Sequence, residues 1–254
     1  MTMLRTLSLC TLLALISPAQ ELKTATGHPM QYYLALPQAW TATKKWPVVV
    51  VIESANREFQ SNAETFVRAR QSLPFILVAP LAIGNGGPNY RHIPTYHYSD
   101  SVWNEIERVG GCQFDRAGIA AVVRDVTRLY AGEDRYFVTG WEAGGHTVWP
   151  MLFQHPEALR AAALVSPNYR GRCMDDAPLS SSPQRVELPV TVFGGGADAA
   201  WKPNQPLYTQ SQEAIRLARE HGYENVSESM APAKGHGPLA EEVLAYFYSF
   251  LTAR

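Results

Sequence analysis

The sequence predicts a doubly wound α/β fold, a mostly parallel sheet alternating with helices and carrying no cap domain. Three observations lead there. Val48–Ile52 is an unbroken β-branched run, the mark of a central strand covered on both faces. Helix-spaced apolar residues such as Ile119, Val122, Val123, Val126 and Leu129 alternate with runs of that kind. Residues 136–149 read as a short strand, a glycine-flanked turn and a helix. At 254 residues the chain has room for one large domain and no need of a second.

The elements follow in order. Residues 30–37 alternate enough for an early strand, antiparallel at the sheet edge. Val48–Ile52 opens into the polar loop Glu53-Ser54-Ala55-Asn56-Arg57, after which Ala63, Phe66, Val67 and Ala69 share one face of a helix over 60–72. Residues 75–79 form the next strand, ended by Pro80. Residues 84–100, rich in tyrosine, glycine and proline, read as an ordered surface loop. A helix over 115–130 stops before Gly132. The strand of 136–149 and its helix reach about residue 154. Residues 160–167 are a buried strand, and 168–185 a loop containing Cys173. Residues 188–193 form a strand that opens into Gly194-Gly195-Gly196-Ala197-Asp198. A helix over 205–221, a more polar strand over 226–230 and Gly235-His236-Gly237 precede the closing helix, 239–251.

Residues 1–19 read as a secretory signal, with Arg5 as the basic start, an apolar core over 7–16 and Ser17-Pro18-Ala19 as the cleavage site. The core is too short to span a bilayer. Leu9-Cys10 is a poor match to a lipoprotein cleavage box, so no acyl anchor is expected. The mature domain is then 20–254, secreted or periplasmic. Cys112 and Cys173 remain after cleavage and in an exported chain read as one disulfide, the alternative being two buried thiols. A net charge of −1 offers no electrostatic footprint for nucleic acid or an anionic membrane, and neither partner is expected.

The central turn is Gly140-Trp141-Glu142-Ala143-Gly144. Gly-x-Ser-x-Gly between strand and helix is the nucleophile elbow, which exposes one side chain at the top of a parallel sheet. Here glutamate stands where that motif has serine. Asp198 after one strand and His236 before the last helix complete the chain order nucleophile, acid, histidine, and both fall at the carboxyl edge where ligands bind. Taken singly, Gly194–Gly196 with Asp198 is an ordinary flexible turn, and Gly-His-Gly a turn with a solvated imidazole. In this order after consecutive strands they read together as a site.

On Val48–Ile52, residues 134–147, Gly195-Gly196-Ala197-Asp198 and Gly235-His236-Gly237, the chain resembles the α/β-hydrolase superfamily. It is most similar to the secreted, cap-less branch around polyhydroxyalkanoate depolymerases and feruloyl-type esterases. The resemblance implies that Glu142, Asp198 and His236 stand at the positions of nucleophile, acid and base. It also implies an oxyanion hole from the Ala143 N–H and the loop at Glu53-Ser54, where the family usually has His-Gly. Glu53 brings a second carboxyl near Glu142, and two close carboxyls raise the pKa of one of them.

A carboxylate at the elbow has two chemical uses. It can attack an alkyl carbon, as aspartate does there in dehalogenases and epoxide hydrolases of the same superfamily, with His236 activating the water that releases the intermediate. It can also act as a general base with Glu53 as acid partner. A metal site from Glu53, Glu142 and His236 has no diagnostic spacing, and no metal or other cofactor is expected. Glu142 and His146 mimic half of a zinc helix but lack its second histidine, so His146 is expected to pack. Trp141 and Trp201 lie on loops predicted to face the site and suit a sugar, aryl or polymer surface. Trp149 reads as core, and Tyr90, Tyr96, Tyr98 and Trp103 as a cluster able to pack on itself. The leading expectation is a secreted hydrolase of ester-type bonds, on a small-molecule or polymer substrate, with an atypical Glu-Asp-His site. The competing expectation is an inactive relative that binds a small molecule or polymer; a structural or adhesive protein has only the aromatics behind it. Oligomeric state is not legible.

Overall fold

A computed structural model describes residues 20–85, 91, 93–174 and 178–252. The expected signal, 1–19, lies outside them, as does Tyr90. The first half comprises β1 Glu21–Thr24, β2 Gln31–Ala35, β3 Val48–Ile52, α1 Phe59–Arg70, β4 Ile76–Pro80, α2 Asp100–Val109 and α3 Gly111–Leu129. The second comprises β5 Tyr136–Trp141, α4 Gly145–Gln154, β6 Leu159–Val165, α5 Gln184–Glu187, β7 Val190–Gly195, α6 Pro206–Glu220, β8 Val226–Ala231 and α7 Ala240–Thr252.

The strands make one sheet in the order β1-β2-β4-β3-β5-β6-β7-β8. β2 pairs antiparallel with β1 and with β4, and from β4 to β8 all neighbours are parallel. This is the doubly wound, mostly parallel fold expected. The reason lies in the parity of the strands: Val48, Val50 and Ile52 enter one core with Val138, Leu164 and Val192, while Val49 and Val51 enter the other with Phe137, Ala163 and Phe193. A strand apolar at both parities must be covered on both faces. α3, α4 and α6 cover the first face with Val122, Trp149 and Ile215, and α1 and α7 cover the second with Phe66, Val243 and Phe247.

Two elements depart from the sequence reading. β1 is the true sheet edge, but Glu21-Leu22-Lys23-Thr24 is short and mostly exposed, so it carries no alternation to detect. α2 was not expected, and α3 starts at Gly111 rather than near 115. α2 buries only Trp103 and Ile106, a stripe of two residues; it is capped by Ser99 Oγ accepting from the Val102 N–H and stopped by Gly110 at φ +86°. Tyr96, Tyr98 and Trp103 pack on one another there, as weighed for that loop. Cys112 and Cys173 are bonded, with α-carbons 5.2 Å apart, tying the first turn of α3 to the segment after β6. Between β6 and β7 the described residues form only the four-residue α5. No helix among the described residues is long and apolar enough to cross a membrane.

Candidate active site

β5 ends extended at Trp141 and the chain reverses at Glu142, whose φ of +48° is uncommon for a residue with a Cβ. A single 3₁₀ turn, Glu142–Gly144, then leads into α4. The flanking glycines are steric requirements. A Cβ on Gly140 would lie 2.8 Å from Val148 Cγ2 and 3.0 Å from the Gly144 carbonyl oxygen. One on Gly144 would lie 2.8 Å from the Ile52 oxygen and 2.9 Å from that of Glu53. Strand, turn and helix can close on β3 only with both side chains missing. The Asn168 N–H holds the Glu142 carbonyl at 2.8 Å. The backbone is thus an elbow, and the half-buried side chain it presents is a carboxylate.

Asp198, buried in the turn after β7, accepts three hydrogen bonds: from His236 Nδ1 at 2.9 Å, Ser166 Oγ at 3.1 Å and the Ala200 N–H at 2.8 Å. Burial pushes its carboxyl up, but the His236 contact and the Ala200 N–H outweigh it and hold the group below the usual range. An ionised Asp198 needs a proton from Nδ1, so neutral His236 keeps its hydrogen there and leaves the Nε2 lone pair free. Gly195 allows the histidine loop to close down, since a Cβ there would meet the Gly235 and Lys234 oxygens at 2.6 Å. The His236 ring is exposed and stands edge-on to Trp141, centroids 5.2 Å apart. It fronts an open depression of 520 Å³ shared with Arg68 of α1 and Leu239. Among the described residues no hydrogen bond joins His236 to Glu142.

The Glu142 carboxylate faces the loop after β3, its Oε2 accepting from the Ala55 N–H at 3.3 Å. The sequence places an oxyanion amide in the loop at Glu53-Ser54; the N–H that meets Glu142 is that of the next residue, Ala55. Ser54 is fully buried, its Oγ donating to Glu53 Oε1 at 2.9 Å and accepting from the Asn56 N–H at 3.2 Å. Asn85 Nδ2 holds the carbonyls of Glu53 and Ser54, the latter at 3.4 Å, and so fixes the loop. Glu53 is buried, and burial raises its carboxyl above the usual range, with Ser54 opposing and Glu58 adding to the rise. Of the two causes expected, burial and repulsion from Glu142, burial is the one that raises it. The Trp141 indole N–H lies near enough to favour the ionised Glu53 slightly, yet neither that nitrogen nor Glu53 Oε2 completes a hydrogen bond. Ala143, beside Glu142 in the turn, is buried.

Trp141 lies half-buried beside His236, but Trp201 does not face the site as expected. It is 4% exposed, packs edge-on to Tyr208, and lies where a Cβ on Gly194 would stand 1.8 Å from its indole nitrogen. The triple glycine gives room to a core tryptophan. Trp149 is fully buried, and His146 packs at the start of α4, where burial and then Arg172 and Arg170 lower its imidazole to about 4. Among the described residues no group of three or more His, Cys, Asp or Glu is placed to hold a metal. Ala55, Asn85 and Ser166 were missed. Ala55 acts through its backbone N–H, which leaves no mark in residue type, and Asn85 and Ser166 act through side chains whose partners lie far off in the chain.

No family model matches the chain, and no curated protein matches it. Solved structures do. LpqC, a poly(3-hydroxybutyrate) depolymerase from Bordetella parapertussis, superposes with a TM-score of 0.63 at 18% identity, covering 93% of this chain and 90% of its own. Poly(aspartic acid) hydrolase-1 from Sphingomonas sp. KT-1 gives 0.59 at 16% identity, covering 92% and 99%. Esterase 2 from Thermogutta terrifontis, phosphonylated by cyclosarin, gives 0.56 at 14% identity, covering 92% and 94%. At these identities the likeness establishes the α/β-hydrolase fold, not an activity.

Proposed function

We propose that this protein is a secreted hydrolase of ester-type bonds that works with a carboxylate at the elbow. The observation that carries the reading is the seat of Glu142. One carboxylate oxygen, Oε2, rests on the Ala55 N–H while the Asp198–His236 pair is assembled alongside. An anion already on that amide is a poor host for the oxyanion of a carbonyl attacked by water. It suits a carboxylate nucleophile. Glu142 Oε1 attacks the alkyl carbon of an activated ester, the carbon–oxygen bond breaks, and the substrate's carboxylate leaves. Water then attacks the Glu142 carbonyl carbon, giving its proton to His236 Nε2, and the negative charge on Oε2 falls on the Ala55 N–H. Collapse expels the alcohol, which takes the proton back from His236. Asp198 orients the imidazole throughout. Burial disfavours the charged form of Glu53 beside the nucleophile.

Single turnover in ¹⁸O-water, followed by mass spectrometry of the peptide holding Glu142, tests this. Label in Glu142 is expected. Label only in the product acid assigns Glu142 as a general base instead. Glu142→Ser provides the second test: Asp198 and His236 would then orient a hydroxyl, and activity on a small aryl ester should appear and vanish on adding His236→Ala. The missing His236–Glu142 hydrogen bond favours the competing reading, a binding protein. A folded Glu142→Ser variant with no esterase activity and unchanged ligand binding would establish that reading.

A further inference from the structure

An apolar cavity in the described structure stands apart from the elbow. It lies between α3 and α4, has a volume of 320 Å³, and falls in the size range of small-molecule sites. Both helices flank β5, α3 running into it and α4 out of it, so both point away from the carboxyl edge and lie side by side. Ile119, Ala120 and Val123 of α3 face Pro150 and Met151 of α4 across the middle. Polar groups stand at the two ends. At the end near the disulfide are Arg116, from the second turn of α3, Thr147, from the first turn of α4, and Asp115, whose carboxyl accepts from the Ile83 and Gly84 N–H groups. At the other end are Gln154, closing α4, with Arg124 and Asp134.

Two of these groups are buried without a partner. Thr147 is 6% and Gln154 7% exposed, and neither Thr147 Oγ1 nor Gln154 Nε2 makes a hydrogen bond. Leaving a buried donor unpaired is unfavourable. Gln154 Nε2 can only donate, so whatever satisfies it must offer an acceptor oxygen. Arg116 and Arg124 make no ion pair among the described residues. Asp134 at the far end disfavours a second negative charge there, whereas the Asp115 carboxyl at the near end is already held by the Ile83 and Gly84 N–H groups, so Arg116 makes that end the seat of an anion.

We infer that this cavity binds a linear aliphatic carboxylate bearing an uncharged oxygen at its far end. The carboxylate would meet Arg116 and Thr147, the chain would fill the apolar middle, and the distal oxygen would accept from Gln154 Nε2. Thr147 to Gln154 spans seven residues, roughly 10 Å along a helix, which suits a chain of about eight to ten carbons. The site is separate from the elbow and owes nothing to the chemistry there.

The test uses 10-hydroxydecanoate as probe, with decanoate and 1,10-decanediol as comparisons, read by isothermal titration calorimetry and saturation-transfer NMR on the wild-type chain. The hydroxy acid is expected to bind tightest. Arg116→Gln should weaken it about tenfold or more while leaving the diol unchanged. Ala120→Phe should fill the cavity and abolish binding of all three. Saturation transfer from the Met151 methyl to the probe locates the site even if a variant fails to fold. No binding to the wild type, or binding unaltered by Ala120→Phe in a folded protein, overturns the inference. So does a wild-type dimer that Ala120→Phe makes monomeric, which would assign the cavity to a second copy of the chain.

Discussion

Glu53 and Glu142 are eighty-nine positions apart in chain order and differ in kind because one is buried and the other meets an amide. Glu53 holds its proton to higher pH in the folded than in the unfolded chain, because burial penalises its charged form. Its contribution to stability is therefore complete below the usual glutamate range and is lost as pH rises towards its folded value. Glu53→Gln removes the charge without changing the shape. The variant should gain in melting temperature over wild type at about pH 8 and show little difference near pH 4. A melting-temperature difference equal at both pH values would mean that Glu53 is not held neutral. Glu142 itself is legible in the sequence as an elbow residue, but its hydrogen bond to Ala55 is not.

At the scale of elements, the elbow is a contact of three segments, β3, β5 and α4, and its glycines mark where backbones meet. The disulfide also ties distant segments together. It closes a loop of 61 residues that contains β5, the elbow and β6. Cross-linking a loop of that size restricts the unfolded chain, so Cys112→Ser with Cys173→Ser should lower stability by about 2–4 kcal/mol. Urea unfolding of the double variant measures it, and an unchanged midpoint would show the bridge to be dispensable. Gly84 lies against the same sulfurs, and Asp115 holds the Ile83 and Gly84 N–H groups. Asn85 comes next and holds the loop carrying Ala55, so the anchor of α3 reaches the site through three consecutive residues.

The whole molecule should be most stable in mildly acidic solution. Burial pushes Asp115 up to about 7 despite its two backbone donors, and raises Glu53 as well. Both groups bind protons more tightly when folded, so their contributions are lost as pH climbs, that of Asp115 between about 4 and 7. Asp198 acts the other way: its lowered carboxyl contributes above the usual aspartate range and loses that contribution as pH falls through it. The urea midpoint should therefore peak near pH 4–5, roughly, and decline by pH 8. Asp115→Asn should flatten that decline even though it weakens the 83–84 turn. A midpoint that rises steadily from pH 4 to pH 8 would contradict the assignment.

The fold was legible because it follows from local pattern. β3 is apolar at both parities, α3 is apolar at helical spacing, and the Gly140–Gly144 frame has the shape of an elbow whatever residue stands at its tip. The chain order of Glu142, Asp198 and His236 was legible too, since strand ends mark the carboxyl edge. Tertiary structure decided the rest. It turned Trp201 inward against Gly194, because a large indole gains more from burial than from a place on the rim. It set the Ala55 N–H against Glu142 and buried Ser54 with its hydroxyl on Glu53. It also opened a cavity between α3 and α4 with two unpaired polar groups. Backbone donors, side-chain direction and gaps between helices depend on contacts between segments far apart in the chain. Residue type and spacing carry no record of them.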